Sequence, residues 1–308
     1  MQNKKFLRSD YAVAGVIEAL LLVALVAIVI STIQLVYIPD IMEERESGHM
    51  DEILNQFSQL KSVIDIQSSL GILKSDESLT YTPMSSPITL GSSEIPYFIT
   101  ERAYGVLNVI GKEDTDGCRI NIQPAPTDFP SGVPLTSIKY DAENFYFVDQ
   151  SYILEGGGVI LNQTRGATES GGEVMRNPPP INVVNYTNNI TIYYNLPLFK
   201  SYAGKNNTAD YTTKFVLTNY SKYYSHSGAV TFIHIYTDHP VAWNQSLRQD
   251  STGLLWEYYD NGYININLNK AQSPQRLEIT PGTKSIYLHL TVVEIGAQIG
   301  PGWVLKNQ

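Results

Sequence analysis

The chain has 308 residues, 43% of them hydrophobic and 17% charged, a balance that suits a folded protein and excludes a disordered one. Its net charge of −9 leaves no basic stripe to neutralise phosphates, so nucleic acid is not an expected partner. Cys118 is the only cysteine, which excludes an intrachain disulfide, a CxxC redox pair and a cysteine-based zinc site.

Lys4, Lys5 and Arg8 give the chain a basic start, and from Ala12 to about Ile38 it is almost continuously apolar, with Glu18 the one charge. This run is longer than the roughly 7–15 residues of a secretory signal core and long enough to span a bilayer with some tilt. No small-residue cleavage pattern follows it, since Tyr37-Ile38-Pro39-Asp40 is a poor peptidase site. Asp40, Glu43, Glu44 and Glu46 lie beyond the run with only Arg45 among them. The positive-inside rule then places the N-terminus in the cytoplasm and the bulk of the chain outside a membrane it crosses once.

Gly15, Ala19, Ala24, Ala27 and Ser31 are small enough to let neighbouring helices approach closely, in lipid or against copies of the same chain. Glu18 needs either a partner or a route to the headgroups, because a carboxylate inside a span costs roughly 2–3 kcal/mol. Pro39 predicts a kink. Beyond it, Met50, Ile53, Phe57, Leu60 and Ile64 recur at spacings of three and four, which predicts an amphipathic helix over 39–75 with Gly71 as its candidate stop.

From residue 79 to 308 the period changes to two, with frequent breakers. The 21 Tyr, 22 Gly and 16 Pro agree with β-structure rich in turns. The expected fold class is therefore α+β: a long N-terminal helix, then a mainly antiparallel, sandwich-like β-domain. YGVLNVIG and CRINIQ flank KEDTDG as a predicted hairpin, and LLWEYY and YININLN flank DNG as another. TKFVLTNY, AVTFIHIY and SIYLHLTVVEI are further expected strands, and HPVAWNQSLRQ is an expected short helix. A Gly/Pro-rich stretch near 165–180 is a candidate seam between two β-subdomains.

Six N-x-S/T sequons, at Asn162, Asn185, Asn189, Asn206, Asn219 and Asn244, are candidate glycosylation sites on an external domain. No catalytic motif, cofactor fingerprint or metal-ligand spacing appears. His234, Asp238 and His239 cross a strand end and read as a solvated turn. Glu113, Asp114 and Asp116 lack the repeated acidic spacing of a calcium loop, and no helix clearly follows the glycines at 156–158. No catalytic residue, metal or cofactor is therefore nominated.

SDYAVAGVIEALLLVALVAIVI resembles the N-terminal signature of archaeal type IV pilins, commonly S-D-R-A-V-S-P-V-I-G before a hydrophobic run. Ser9, Asp10, Ala12, Val13, Val16 and Ile17 match; Tyr11 replaces Arg, Ala14-Gly15 replace Ser-Pro, and Glu18 stands where Gly is common. ENFYFVDQSYILEGGGVILNQ and PITLGSSEIPYF resemble ectodomain segments of methanogen-type pilin-like proteins. The resemblance implies a class III signal peptide, cut by a prepilin peptidase between Ala12 and Val13 on the cytoplasmic side. Residues 1–12 would be lost and 13–38 kept as a filament-core helix. It further implies copies of the chain or related pilins and a membrane assembly platform as partners. V-I-E followed by A-L-L resembles bacterial type IV pilins, in which such a glutamate faces the N-terminal amine of a neighbouring subunit. Two other readings stay open on the residues themselves: a monomeric signal-anchored adhesion or binding protein, and an anchored hydrolase.

Overall fold

The computed structural model describes residues 4–73, 83–92, 102–163, 172–249, 251–271 and 273–300, with side chains from Ala14 onward. One helical rod begins it. Helix α1 (Lys4–Thr32) runs through a π-helical turn at Ile33–Tyr37 into helix α2 (Ile38–Leu73). The π turn accounts for Pro39. That residue has no N–H to offer the carbonyl four residues earlier, and its ring would crowd that carbonyl in a tight α-helix. A wider turn just before it, closed by the Ile38 N–H on the Ile33 carbonyl, accommodates the proline without ending the rod. Gly71 does not stop the helix, which continues to Leu73. The glycine instead permits contact with the sheet, since a Cβ there would collide with the Tyr220 ring.

The chain then forms β1 (Met84–Thr89), β2 (Tyr104–Ile110), β3 (Arg119–Gln123), β4 (Val133–Pro134), β5 (Ser137–Glu143), β6 (Ser151–Glu155), β7 (Gly158–Asn162) and β8 (Glu173–Asn177). There follow β9 (Ile181–Asn185), β10 (Asn189–Lys200), β11 (Asn207–Asp210), β12 (Thr213–Val230) and β13 (Phe232–Thr237). Helices α3 (Pro240–Arg248) and α4 (Trp256–Asp260) precede β14 (Ile264–Asn269), β15 (Gln275–Pro281) and β16 (Ser285–Ile299). The strands make three sheets, ordered β1-β12-β16-β10-β9, β11-β2-β5-β6-β7-β8 and β14-β15-β13-β3-β4. Pairing is antiparallel except for β10 with β16, so the protein is a long apolar helix followed by a mostly antiparallel β-rich domain.

Both predicted hairpins are absent. KEDTDG joins β2 and β3, which belong to different sheets, and most of LLWEYY lies in or beside α4. The expected helix over HPVAWNQSLRQ forms as α3, with Pro240 at its start where a missing N–H costs nothing. Part of the candidate seam lies outside the described residues; β8 and the short link that leads to β9 occupy the remainder.

The first sheet serves two hydrophobic cores, one on each face. Leu288, Leu290 and Val292 of β16 pack with Ile120, Ile235, Ile279 and Trp243 in one core. Val293, Ile295, Ala297 and Ile299 enter the other, with Phe57, Leu107 and Tyr140. Side chains alternate along a strand, so the change from even to odd numbers at Val292–Val293 moves the buried face to the opposite side of the sheet. Helix α2 lies against this second core. Met50, Ile53, Phe57, Leu60 and Ile64 are at most 2% exposed, and burying five such side chains is worth about 10 kcal/mol before chain entropy is set against it.

Candidate functional site: the N-terminal helix and its latch

The two halves of the rod face different surroundings. Leu20, Leu21, Leu22 and Val23 are 64%, 66%, 62% and 63% exposed. Successive helical residues are turned by about 100°, so equal exposure of four in a row means that the chain's own domain covers no side of α1. An 18-residue window here reaches a mean hydropathy of 2.8, long and apolar enough to cross a membrane. Such a surface is stable only in lipid or against other apolar helices.

The small residues fall into two patches. Gly15, Glu18 and Ala19 share one face, while Ala24, Ala27 and Ser31 share the opposite one, two turns further on. All six are exposed. A helix with close-approach patches on opposite sides can be packed from both sides at once. The backbone is helical without interruption across Ala12 and Val13, so the candidate cleavage bond lies within α1.

Beyond the π turn, polar bonds fix α2 to the domain. Glu46 has no exposed surface. One of its carboxylate oxygens accepts the backbone N–H groups of Tyr146 and Phe147, both at 2.7 Å, and the other accepts that of Phe145 at 3.2 Å. Three N–H groups of one loop converging on a buried anion form a cradle for it. One turn on, His49 Nε2–H donates to the Thr89 carbonyl at 2.9 Å, and burial holds the ring's pKa below its ordinary value. Gln56 accepts the Thr89 N–H at 2.8 Å, Tyr152 donates its hydroxyl to the Met50 carbonyl at 3.1 Å, and Gln67 donates to the Thr218 carbonyl at 3.0 Å. These bonds are spread over six turns of α2 and orient the β-domain rigidly on the rod.

Compared with family models, curated proteins and solved structures, the chain matches none.

The remaining candidates separate by exposure. Among the sequon asparagines Asn185 is exposed, whereas Asn162, Asn189, Asn206, Asn219 and Asn244 are half-buried. Asn219 and Asn244 each also bury an Oδ1 without a hydrogen-bond partner. His234 does not meet His239: it stacks on Phe232, two residues earlier on the same strand, at 4.1 Å. His239 Nδ1 lies 3.1 Å from Glu173. No group of three or more potential ligands for a metal occurs among the described residues. Burial pushes the Cys118 thiol up to about 12. Gly156 and Gly157 make the tight turn between β6 and β7, with φ of 58° and 80°. Tyr224 packs edge-on to Phe129, and Trp256 meets Tyr259.

Glu46 and Glu155 are among the buried carboxylates that sequence reasoning missed. Glu46 lies four residues after Met42 on the buried stripe, and a charge on an apolar stripe was the available signal. Glu155 ties β6 to β13 and α3 by accepting Thr237 Oγ1–H at 2.7 Å and Trp243 Nε1–H at 2.8 Å. Its burial raises its pKa, a shift that the nearby His239 opposes. Nothing in the alternating strand around Glu155 marks it.

Proposed function

We propose that the chain is a structural subunit of an archaeal type IV pilus-like surface filament. The observation that carries this reading is the division of one continuous rod. Its first half is apolar and exposed on all sides, and its second half is latched to a β-rich domain. In this reading a prepilin peptidase removes residues 1–12 and the membrane holds residues 13–38 until an assembly platform extracts them. The helix then packs among copies of itself or related pilins. Glu18, beside Gly15 and Ala19, pairs with the new amine at Val13 of a neighbour. The β-domain faces outward for adhesion or surface contact, with Asn185 as its most accessible glycosylation position. The motif match from Ser9 to Ile17 and the patches on opposite faces of α1 support this over a solitary anchor, which needs no second packing face.

The test is the intact mass of the protein isolated from its native membrane. A mature start at Val13 agrees with the proposal. Retention of Met1 to Ala12 rejects it in favour of an unprocessed anchor.

A further inference from the structure

A cavity of about 180 Å³ lies where β2, β5 and β6 meet Cys118, which leads into β3, and the link between β13 and α3. Two segments far apart in sequence line it together: the turn bearing Asp114 and Asp116, and the Asp238-His239 link. Glu155 forms part of its wall. That side chain is 4% exposed, and both hydrogen bonds it accepts, from Thr237 and Trp243, go to Oε1. Neither donor lines the cavity, so Oε2 is the oxygen that faces it, and among the described residues nothing bonds to Oε2. A buried carboxylate oxygen with no donor is costly.

The surrounding charge is acidic. Asp114, Asp116 and Asp238 are exposed and join no ion pair among the described residues. The two basic side chains on the wall are engaged elsewhere: Lys139 lies 3.0 Å from Asp141 and His239 3.1 Å from Glu173, and neither partner lines the cavity. Lys112 and Arg119 flank the turn in sequence but do not line the cavity, and the Arg119 guanidinium lies over the Tyr236 ring. Burial holds the Glu155 pKa above its ordinary value, and a cation at Oε2 would draw it back. No three potential metal ligands converge among the described residues, so a bare metal ion would lack a coordination shell here. The acidic groups instead stand at two levels, one carboxylate buried and three aspartates exposed, and Ile110, Leu135 and Ile153 give the cavity an apolar wall. We propose that the cavity binds an alkyl diammonium ion, one ammonium donating to Glu155 Oε2, the methylene stem lying on the apolar wall and the other ammonium among the aspartates. An ammonium carries three donors and no acceptor, which suits a carboxylate oxygen with none of its own. The volume, below the roughly 300–1,000 Å³ of drug-sized sites, suits so small a ligand. The inference does not depend on assembly of the chain into filaments.

The test titrates the full chain in micelles with putrescine, a small diamine. Calorimetry reads the affinity, and NMR of tryptophan-labelled protein follows the Trp243 indole N–H, which is bonded to the other oxygen of Glu155. Saturable binding with a shift of that resonance is expected. Butylamine, which lacks the second ammonium, should bind roughly tenfold more weakly. Glu155→Gln, whose amide oxygen can keep the bonds from Thr237 and Trp243, should weaken putrescine by about tenfold or more. Asp114→Asn combined with Asp116→Asn should weaken it several-fold; both positions are exposed and asparagine tolerates the φ of 46° at 116, so this variant decides the matter even if Glu155→Gln fails to fold. Calcium titrated in parallel should leave the resonance unmoved. Absence of saturable putrescine binding overturns the proposal, as does unchanged affinity in the aspartate variant, equal affinity for butylamine, or calcium binding as tight as that of the diamine.

Discussion

Replacing Glu46 tests how the rod is held to the domain. Its carboxylate accepts three backbone N–H groups at 2.7, 2.7 and 3.2 Å with no exposed surface of its own. A hydrogen bond to a charged group nets about 1.5–3 kcal/mol. The Phe145 bond is the longest, and Phe145 is half exposed, so its N–H regains water when the carboxylate is removed. The two short bonds then dominate, and Glu46→Ala should cost about 3–4 kcal/mol. Glu46→Gln can keep its carbonyl oxygen on Tyr146 and Phe147, but those bonds become neutral and its NH2 cannot accept the Phe145 N–H, a cost of about 2 kcal/mol. The assay is urea unfolding of the full chain in micelles, followed by fluorescence of Trp243, which is fully buried. A graded loss, smaller for glutamine than for alanine, is expected. Equal losses, or an alanine cost below about 0.5 kcal/mol, would refute the view that the carboxylate is a latch.

Further expectations follow from other contacts. Gly71→Ala drives a methyl group into the Tyr220 ring and should cost about 1–3 kcal/mol in the same assay; an unchanged midpoint would show that the ring gives way freely. The ordinary values of Glu155 and His239 are 4.5 and 6.5, and both are raised in the fold. Burial raises Glu155; for His239, burial lowers the pKa but the bond to Glu173 and the charge of Glu155 outweigh it. A raised pKa means the folded state holds its proton longer, so each contribution is fully present below the ordinary value and lost as pH rises through the raised one. The contribution of this pair should therefore fall as pH rises from 4.5 through and beyond 6.5, read as the stability of the wild type relative to Glu155→Gln, so that the opposite trend from His49, whose pKa is lowered, cancels; a difference that does not decline with rising pH contradicts it. If the native protein is glycosylated, Asn185→Gln should remove more glycan mass than the same change at half-buried Asn219 or Asn244, as read by intact mass; the reverse order would contradict the exposure argument.

The rod was legible because its signals are local. The apolar run and the stripe from Met50 to Ile64 are periodicities within one helix, and those stripe residues are the ones that pack. Strand partners were less accessible. Alternation in YGVLNVIG and CRINIQ reports which side chains face inward but not which strand lies alongside, so two strands joined by a tight polar link were read as a hairpin. LLWEYY illustrates the ambiguity of a short apolar run, and Asn261-Gly262, read as a hairpin turn, follows a short helix, with Gly262 at φ 67°. The parallel pairing of β10 with β16 joins segments that the sequence separates by five strands, drawn from all three sheets, beyond any local pattern.

Cross-linking through opposite sides of α1 tests the central claim most directly. Leu20 and Leu22 are 64% and 62% exposed, on faces roughly 200° apart at about 100° per residue. Cys118 is buried, with its thiol held at about 12, so it contributes no background. In native envelopes, Leu20→Cys with Leu22→Cys should oxidise to a ladder extending well beyond dimers, while either change alone stops at dimers. A doubly substituted chain that stays monomeric would contradict packing of this helix among its own copies.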